Sequence, residues 1–328
     1  MKSTVRYRQR YHPASVYRFF KQAPCEDGHA GHEVVNDNIE VTTRHHSALA
    51  SFLVSRFDSI VRFLYCKAGL FRLINALRPH VYHSDYESLN GYFDLMTYHL
   101  DRQGFDISGM SVLELGPGNS YINAYNFLHR GARKVILVDK FPRYCESEEQ
   151  RSFIRSEMDY FINARKPDRC DYLDGDTCAT NPRYIRFVAG DLCEIDIGEQ
   201  VDLIYSIAVL QHIRDLPRYI KKMHTMLRDG GMAFHIVDLK DKFHFFGNPF
   251  LFYRYSDRVW DRFLTEESVT YTNRLRYREY VDLFAANGFE IVWESVLEYD
   301  APPVALARRF VGRDDLHVGD AHFLLRKK

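Results

Sequence analysis

The segment Ser111-Val112-Leu113-Glu114-Leu115-Gly116-Pro117-Gly118-Asn119-Ser120 limits what this chain can fold into more than any other. A short apolar run stops at two glycines, residues that take backbone conformations a side chain forbids. That pattern describes a buried parallel strand opening into a loop that holds a ligand. A dinucleotide fingerprint would continue to a third glycine, and Tyr121 stands there instead. Glu114 also sets a carboxylate beside the place of a pyrophosphate, where like charges repel.

The loop therefore suits a ligand with positive charge. An ammonium plus a sulfonium meets that need, which points to S-adenosylmethionine rather than NAD. After the loop, residues 121–128 read as a helix whose N-terminus faces the ligand, and residues 133–138 as the next strand, ending at Asp139. An acid at the tip of the second strand is placed to hydrogen-bond ribose hydroxyls. Further apolar runs at 185–188, 201–206 and 232–237 read as strands, with helices at 148–164 and 216–227 between them. Residues 278–287 read as another helix, followed by strands at 289–297 and 316–325, the last antiparallel to its neighbours. The expected fold is α/β, a doubly wound, Rossmann-like, mostly parallel seven-stranded sheet with its last strand antiparallel.

Three regions follow. Residues 1–45 are polar and His-rich and read as an irregular arm, and residues 46–105 as a helical region. Within the latter, Leu49, Phe52, Leu53, Phe57, Ile60, Val61 and Leu64 repeat every three or four residues, the mark of an apolar helix face. That face is expected to pack on the protein's own core, and its later part leaves peripheral membrane contact open. A second helix is expected over 86–103. Residues 106–328 form the ligand-binding domain, interrupted at about 238–276 by an aromatic and basic stretch that breaks the alternation and reads as an inserted cap.

With 44 basic and 44 acidic residues, the chain has no global field to gather nucleic acid, so a small-molecule partner is expected. The six cysteines are scattered without a C-x-x-C pair, so no metal site is expected. No leader peptide or membrane-spanning run is read in the sequence, and a cytoplasmic location is the default. A homodimer is compatible with the sequence.

In order, the chain carries the Glu-x-Gly-x-Gly loop, Asp139, Gly190-Asp191, Asp202-Leu203-Ile204-Tyr205-Ser206 and Leu227-Arg228-Asp229-Gly230-Gly231. In these landmarks it resembles the class I S-adenosylmethionine-dependent methyltransferases over roughly residues 112–328. The resemblance implies that Glu114, Gly116 and Gly118, with Asn119, surround the methionine moiety. It implies Asp139, with Lys140, at the ribose, Asp191 and Leu192 at the adenine, and Ser206 beneath the cofactor. A looser likeness, to methyltransferases of bacterial polysaccharide and secondary-metabolite clusters, rests on Asn248-Pro-Phe-Leu-Phe-Tyr-Arg-Tyr-Ser and Tyr271-Thr-Asn-Arg274. It implies an acceptor pocket with Tyr253, Tyr271, Asn273 and Arg274, the arginine favouring a carboxylate or phosphate.

Methyl transfer to a hydroxyl needs alignment and a base. The candidates are His212 and, after the fifth strand, Asp238, Asp241 and His244, in which a carboxylate orients a histidine. His235 reads as core. The expected activity is O-methylation of a sugar-like or other polar metabolite. The alternatives are N- or C-methylation of a small molecule, or a non-catalytic protein that binds S-adenosylmethionine together with a partner or membrane.

Overall fold

The computed structural model describes residues 5–10, 57–64, 68, 85–141, 147–174, 176–242, 248–265, 271–300 and 304–328. Its strands are β1 (Val5–Arg10), β2 (Ser111–Leu115), β3 (Lys134–Asp139), β4 (Ile185–Ala189), β5 (Val201–Ile207), β6 (Leu227–Asp238), β7 (Phe289–Asp300) and β8 (Val318–Lys327). They form one sheet in the order β1-β7-β8-β6-β5-β2-β3-β4. The seven expected strands are present. Pairing is parallel from β4 through β3, β2 and β5 to β6, and β8 runs antiparallel to both β6 and β7.

An eighth strand corrects the expectation of an irregular arm, because Val5–Arg10 pairs in parallel with β7 from Ser295 to Asp300. The Val5-Arg6-Tyr7-Arg8 alternation is a period-two signal that the arm's basic composition obscures.

The central strands are apolar throughout because both faces are covered. Leu113 and Leu115 of β2 join one buried cluster and Val112 the other. Likewise Leu203 and Tyr205 of β5 go one way and Ile204 the other. On one face lie α1 (Tyr86–Arg102), α2 (Ile122–His129) and α3 (Glu148–Arg165), contributing Phe93, Met96, Tyr125, Phe127 and Phe161. On the other lie α4 (Leu216–Met226) and α5 (Tyr277–Ala286), contributing Tyr219, Ile220, Met223, Tyr280 and Phe284. The helices begin where local chemistry dictates. Asp85 caps α1 by accepting from the Ser88 N–H at 3.1 Å, and Asp215 caps α4 from the Arg218 N–H at 3.3 Å. Ser147 and Gln150 form a capping box on α3.

From β2 the chain builds β3 and β4 to one side, then returns to lay β5 on the other. The carboxyl ends of β2 and β5 thus border the crevice where open α/β sheets bind ligands.

Residues 57–64 are helical, but the buried face is not the apolar one. Asp58 and Arg62 are buried, while Phe57, Ile60 and Leu64 are 56%, 56% and 47% exposed. The reason is a charge cluster. Arg62 Nε donates to Asp58 Oδ2 at 2.7 Å and Nη1 to Asp241 Oδ1 at 3.0 Å, and a second nitrogen pairs with Asp241 Oδ2. Tyr255 Oη donates to Asp58 at 2.7 Å, and the guanidinium lies 5.5 Å from the Trp260 ring. Burial alone would lower the Arg62 pKa, and the two carboxylates more than reverse that. The earlier part of that expected apolar face, at Leu49, Phe52 and Leu53, lies outside the described residues. Among the described residues no helix is long and apolar enough to cross a membrane.

Candidate functional site

A cleft of about 320 Å³ opens at the carboxyl ends of the strands. Its walls are Gly116 of the glycine loop, Val138 to Phe141 at the end of β3, Gly190 to Glu194 after β4, and Val209 with His212 to Asp215 after β5. Arg218 and Tyr219 of α4 complete it.

Gly116 has φ +63°, and a Cβ there would meet Val209 Cγ2 at 2.5 Å, so the backbone bends against the β5 turn in a way only glycine allows. Asp139 stands at the tip of β3, where its carboxylate accepts from the Gly118 N–H at 3.1 Å and the Phe141 N–H at 2.9 Å. Asp191 accepts from the Cys193 N–H at 2.9 Å, a turn that holds Leu192 buried against the cleft. Beneath the loop, Glu114 is buried. Its Oε1 accepts from Asn123 Nδ2 at 3.1 Å, and Oε2 has no partner. Burial, with the charges of Glu157 and Asp139 adding to it and Asn123 opposing, pushes the Glu114 carboxyl up to about 8.

His212 closes the other wall. It sits in the turn Leu210–His212, and its Nδ1 lies 2.6 Å from the carbonyl oxygen of Tyr271. A carbonyl only accepts, so Nδ1 carries the proton and Nε2 keeps its lone pair. Burial, aided by the positive charge of Lys242 and opposed by that hydrogen bond, lowers its pKa to about 4, so the ring is neutral at pH 7. Asn273 holds this turn from behind, donating from Nδ2 to the carbonyls of Leu210 at 2.9 Å and Ile213 at 3.2 Å.

The chain matches a family model described as a methyltransferase domain over residues 89–294, more than half its length. The chain belongs to this methyltransferase family. S-adenosylmethionine is the methyl donor that the family assignment entails. An S-adenosylmethionine-dependent methyltransferase from Mesorhizobium loti shares 15% identity, with 70% of this chain and 96% of that one covered and a TM-score of 0.41. One from Clostridium acetobutylicum shares 14%, covering 84% and 99%, with a TM-score of 0.42. The 1,6-didemethyltoxoflavin-N1-methyltransferase of Burkholderia thailandensis, bound to 1,6-didemethyltoxoflavin and S-adenosylhomocysteine, shares 16%, covering 86% and 92%, with a TM-score of 0.43. A comparison with curated proteins finds no match.

The methyltransferase's own groups fit this donor. The unpartnered buried oxygen of Glu114 awaits a hydrogen-bond donor, the Gly116 bend leaves backbone bare, and two acids stand along the cleft at Asp139 and Asp191. When bound, S-adenosylmethionine supplies the electrophilic methyl group of a sulfonium.

Of the expected site residues, Gly116, Asp139, Lys140, Asp191, Leu192 and His212 line the cleft. Glu114 lies under it, and Asn119 is exposed and outside its walls. Ser206 is not among the cleft's walls. It is fully buried, with Oγ 2.8 Å from Nδ1 of the equally buried His235, because it is still paired within the sheet between Leu115 of β2 and His235 of β6, three residues before the cleft begins at Val209.

Two of the other candidate bases are held in ion pairs. Asp241 is locked to Arg62, and Asp238 holds Lys240 Nζ at 2.9 Å while Lys240 also pairs with Asp320 at 2.5 Å. His244 lies outside the described residues.

On the acceptor side, Tyr253 is buried in an aromatic cluster with Phe250, Phe252, Trp260 and Phe310, donating from Oη to the Leu316 carbonyl at 2.9 Å. Arg274 is buried as well, not open to an anion. It donates to the carbonyls of Phe252 at 3.2 Å and Tyr255 at 2.6 Å and to Asp257 at 2.5 Å, and it stacks 4.8 Å from the Trp260 ring. Tyr271 and Asn273 instead line a second cleft, of about 440 Å³, next to α4. Sequence reasoning missed Val209, Ile213, Arg214 and Tyr219, which carry no motif. Their only signal is position in the first turns after β5, beside the switch point.

Proposed function

We propose that this methyltransferase O-methylates a hydroxyl group of a small polar, sugar-like metabolite, with His212 receiving the hydroxyl proton. The observation that supports it is the neutral His212 in the cleft wall, its Nδ1–H fixed on the Tyr271 carbonyl and its Nε2 left as an acceptor that only the long 3.4 Å contact from Gln211 Nε2 engages. A hydroxyl that gains a methyl group becomes far more acidic than an imidazolium, so a base with a pKa near 4 is strong enough to take the proton as the bond forms. The imidazolium, next to the positive Lys242, then passes the proton on to solvent. Glu114 with the Gly116 and Gly118 backbone would hold the methionine end of the donor, Asp139 the ribose, and Asp191 with Leu192 the adenine. The sugar-like acceptor follows from the looser likeness at Asn248 to Ser256 and at Tyr271.

The test supplies methyl-labelled S-adenosylmethionine with polar metabolites bearing hydroxyl or amino groups and reads the labelled product by mass spectrometry. An O-methyl product is expected. His212→Ala should lower kcat by roughly 10²- to 10⁴-fold while leaving donor affinity within about twofold. Product formed only on nitrogen or carbon, or an undiminished rate in His212→Ala, would sink the proposal.

A further inference from the structure

We infer that Glu157 sets the cofactor selectivity of the glycine loop, its carboxylate standing at the N-terminus of α2 where a phosphate would otherwise bind. Glu157 comes from the middle of α3 and is fully buried. Its two oxygens lie 3.0 and 3.1 Å from the backbone nitrogen of Tyr121, the residue that opens α2 and has no side-chain cap of its own. The first turn of a helix presents unpaired N–H groups and a partial positive charge, which is why phosphates settle there in sheets of this type. Here a protein carboxylate already occupies that place.

A second carboxylate works with it. Glu114 is tied to Asn123 in the same first turn of α2, and its Oε2 is buried without a partner. The charge of Glu157 contributes to the raised pKa of Glu114, so the two acids feel one another. A pyrophosphate brought to this turn would face the charge of Glu157. An ammonium-bearing sulfonium would meet complementary charge, and an ammonium would satisfy the unpartnered oxygen. Glu157 shares its helix's buried stripe with Ile154 and Phe161, so it is an acid set where packing alone would place an apolar residue.

Calorimetry on the full chain with inorganic pyrophosphate, S-adenosylmethionine and S-adenosylhomocysteine tests this. The native protein should not bind pyrophosphate in competition with S-adenosylmethionine. Glu157→Gln keeps an oxygen for the Tyr121 N–H but removes the charge. It should bind pyrophosphate measurably, in competition with S-adenosylmethionine, where the native chain binds none. It should also lose more affinity for S-adenosylmethionine than for the uncharged thioether product. Glu157→Asp keeps the charge and shortens the reach, so it should still exclude pyrophosphate even where its melting temperature falls. Pyrophosphate binding to the native chain, or binding equal in native and Glu157→Gln with only the melting temperature changed, would overturn the inference. Acceptor chemistry enters none of these readouts, so they stand apart from the proposed O-methylation.

Discussion

The glycine-loop side of the sheet and the cap side both set charged groups among apolar ones, but only the loop side leaves them open. Around the loop, Glu114 has an oxygen with no partner, and Asp139 and Asp191 reach the cleft while holding only backbone N–H groups. In the cap, Arg274 is bound to two carbonyls and Asp257, and Arg276 donates to the carbonyls of Leu239, at 2.6 Å, and Val318. Arg276 also lies 5.0 Å from the Tyr253 ring. A buried guanidinium that crosses between segments is a tie, and its cost of burial is met by the backbone oxygens it joins. The comparison teaches that arginine in an aromatic cap is evidence of a ligand only when its donors remain available.

Substitutions can break or sharpen that contrast. The largest effect is expected from Arg276→Ala, which strands two buried carbonyls and opens a cavity. Unfolding should become easier by ~3–5 kcal/mol in denaturant titrations, with the donor affinity of the folded protein unchanged. An effect on donor affinity first would place the cap in the site.

Next is the pH dependence of the unliganded protein. Glu114 titrates near 4.5 when unfolded and near 8 when folded, so the folded state keeps a proton the unfolded chain has lost. Stability is full below pH 4.5 and falls as pH rises through 8, by on the order of a few kcal/mol. Glu114→Gln should flatten that slope in thermal melts at stepped pH, and a slope that persists would place the titrating group elsewhere.

Asp139→Ala should weaken S-adenosylmethionine by ~1–3 kcal/mol in calorimetry with little change in melting temperature. The smallest effect is expected from Ser206→Ala, which removes one buried hydrogen bond to His235. It should cost ~1 kcal/mol of stability and leave donor affinity unaltered, the signature of a core position rather than a site. A loss of affinity there would restore Ser206 to the cofactor.

Much of the fold was legible because its signals are local. The helix expected over 148–164 is Glu148–Arg165, and that over 86–103 is Tyr86–Arg102, each bounded by a capping residue visible in the sequence. The helical stretch at 57–64 misled because Asp58 and Arg62 interrupt its apolar repeat, and their partners Asp241 and Tyr255 lie far along the chain. Val5–Arg10 was hidden for the same reason, its pairing strand β7 being almost at the other end.

By itself, then, the sequence determined the alternating sheet, the loop that bends at Gly116 and the acids within β2, at the tip of β3 and after β4. Strand periodicity, glycine torsions and the spacing of acids act over a few residues. The tertiary structure alone decided that His212 is neutral with its proton on Nδ1, that Asp241 and Arg274 are consumed by ion pairs, and that Glu157 of α3 stands over the first turn of α2. Each of those depends on a partner brought close by folding, and the state of a titratable group is set by what surrounds it in space.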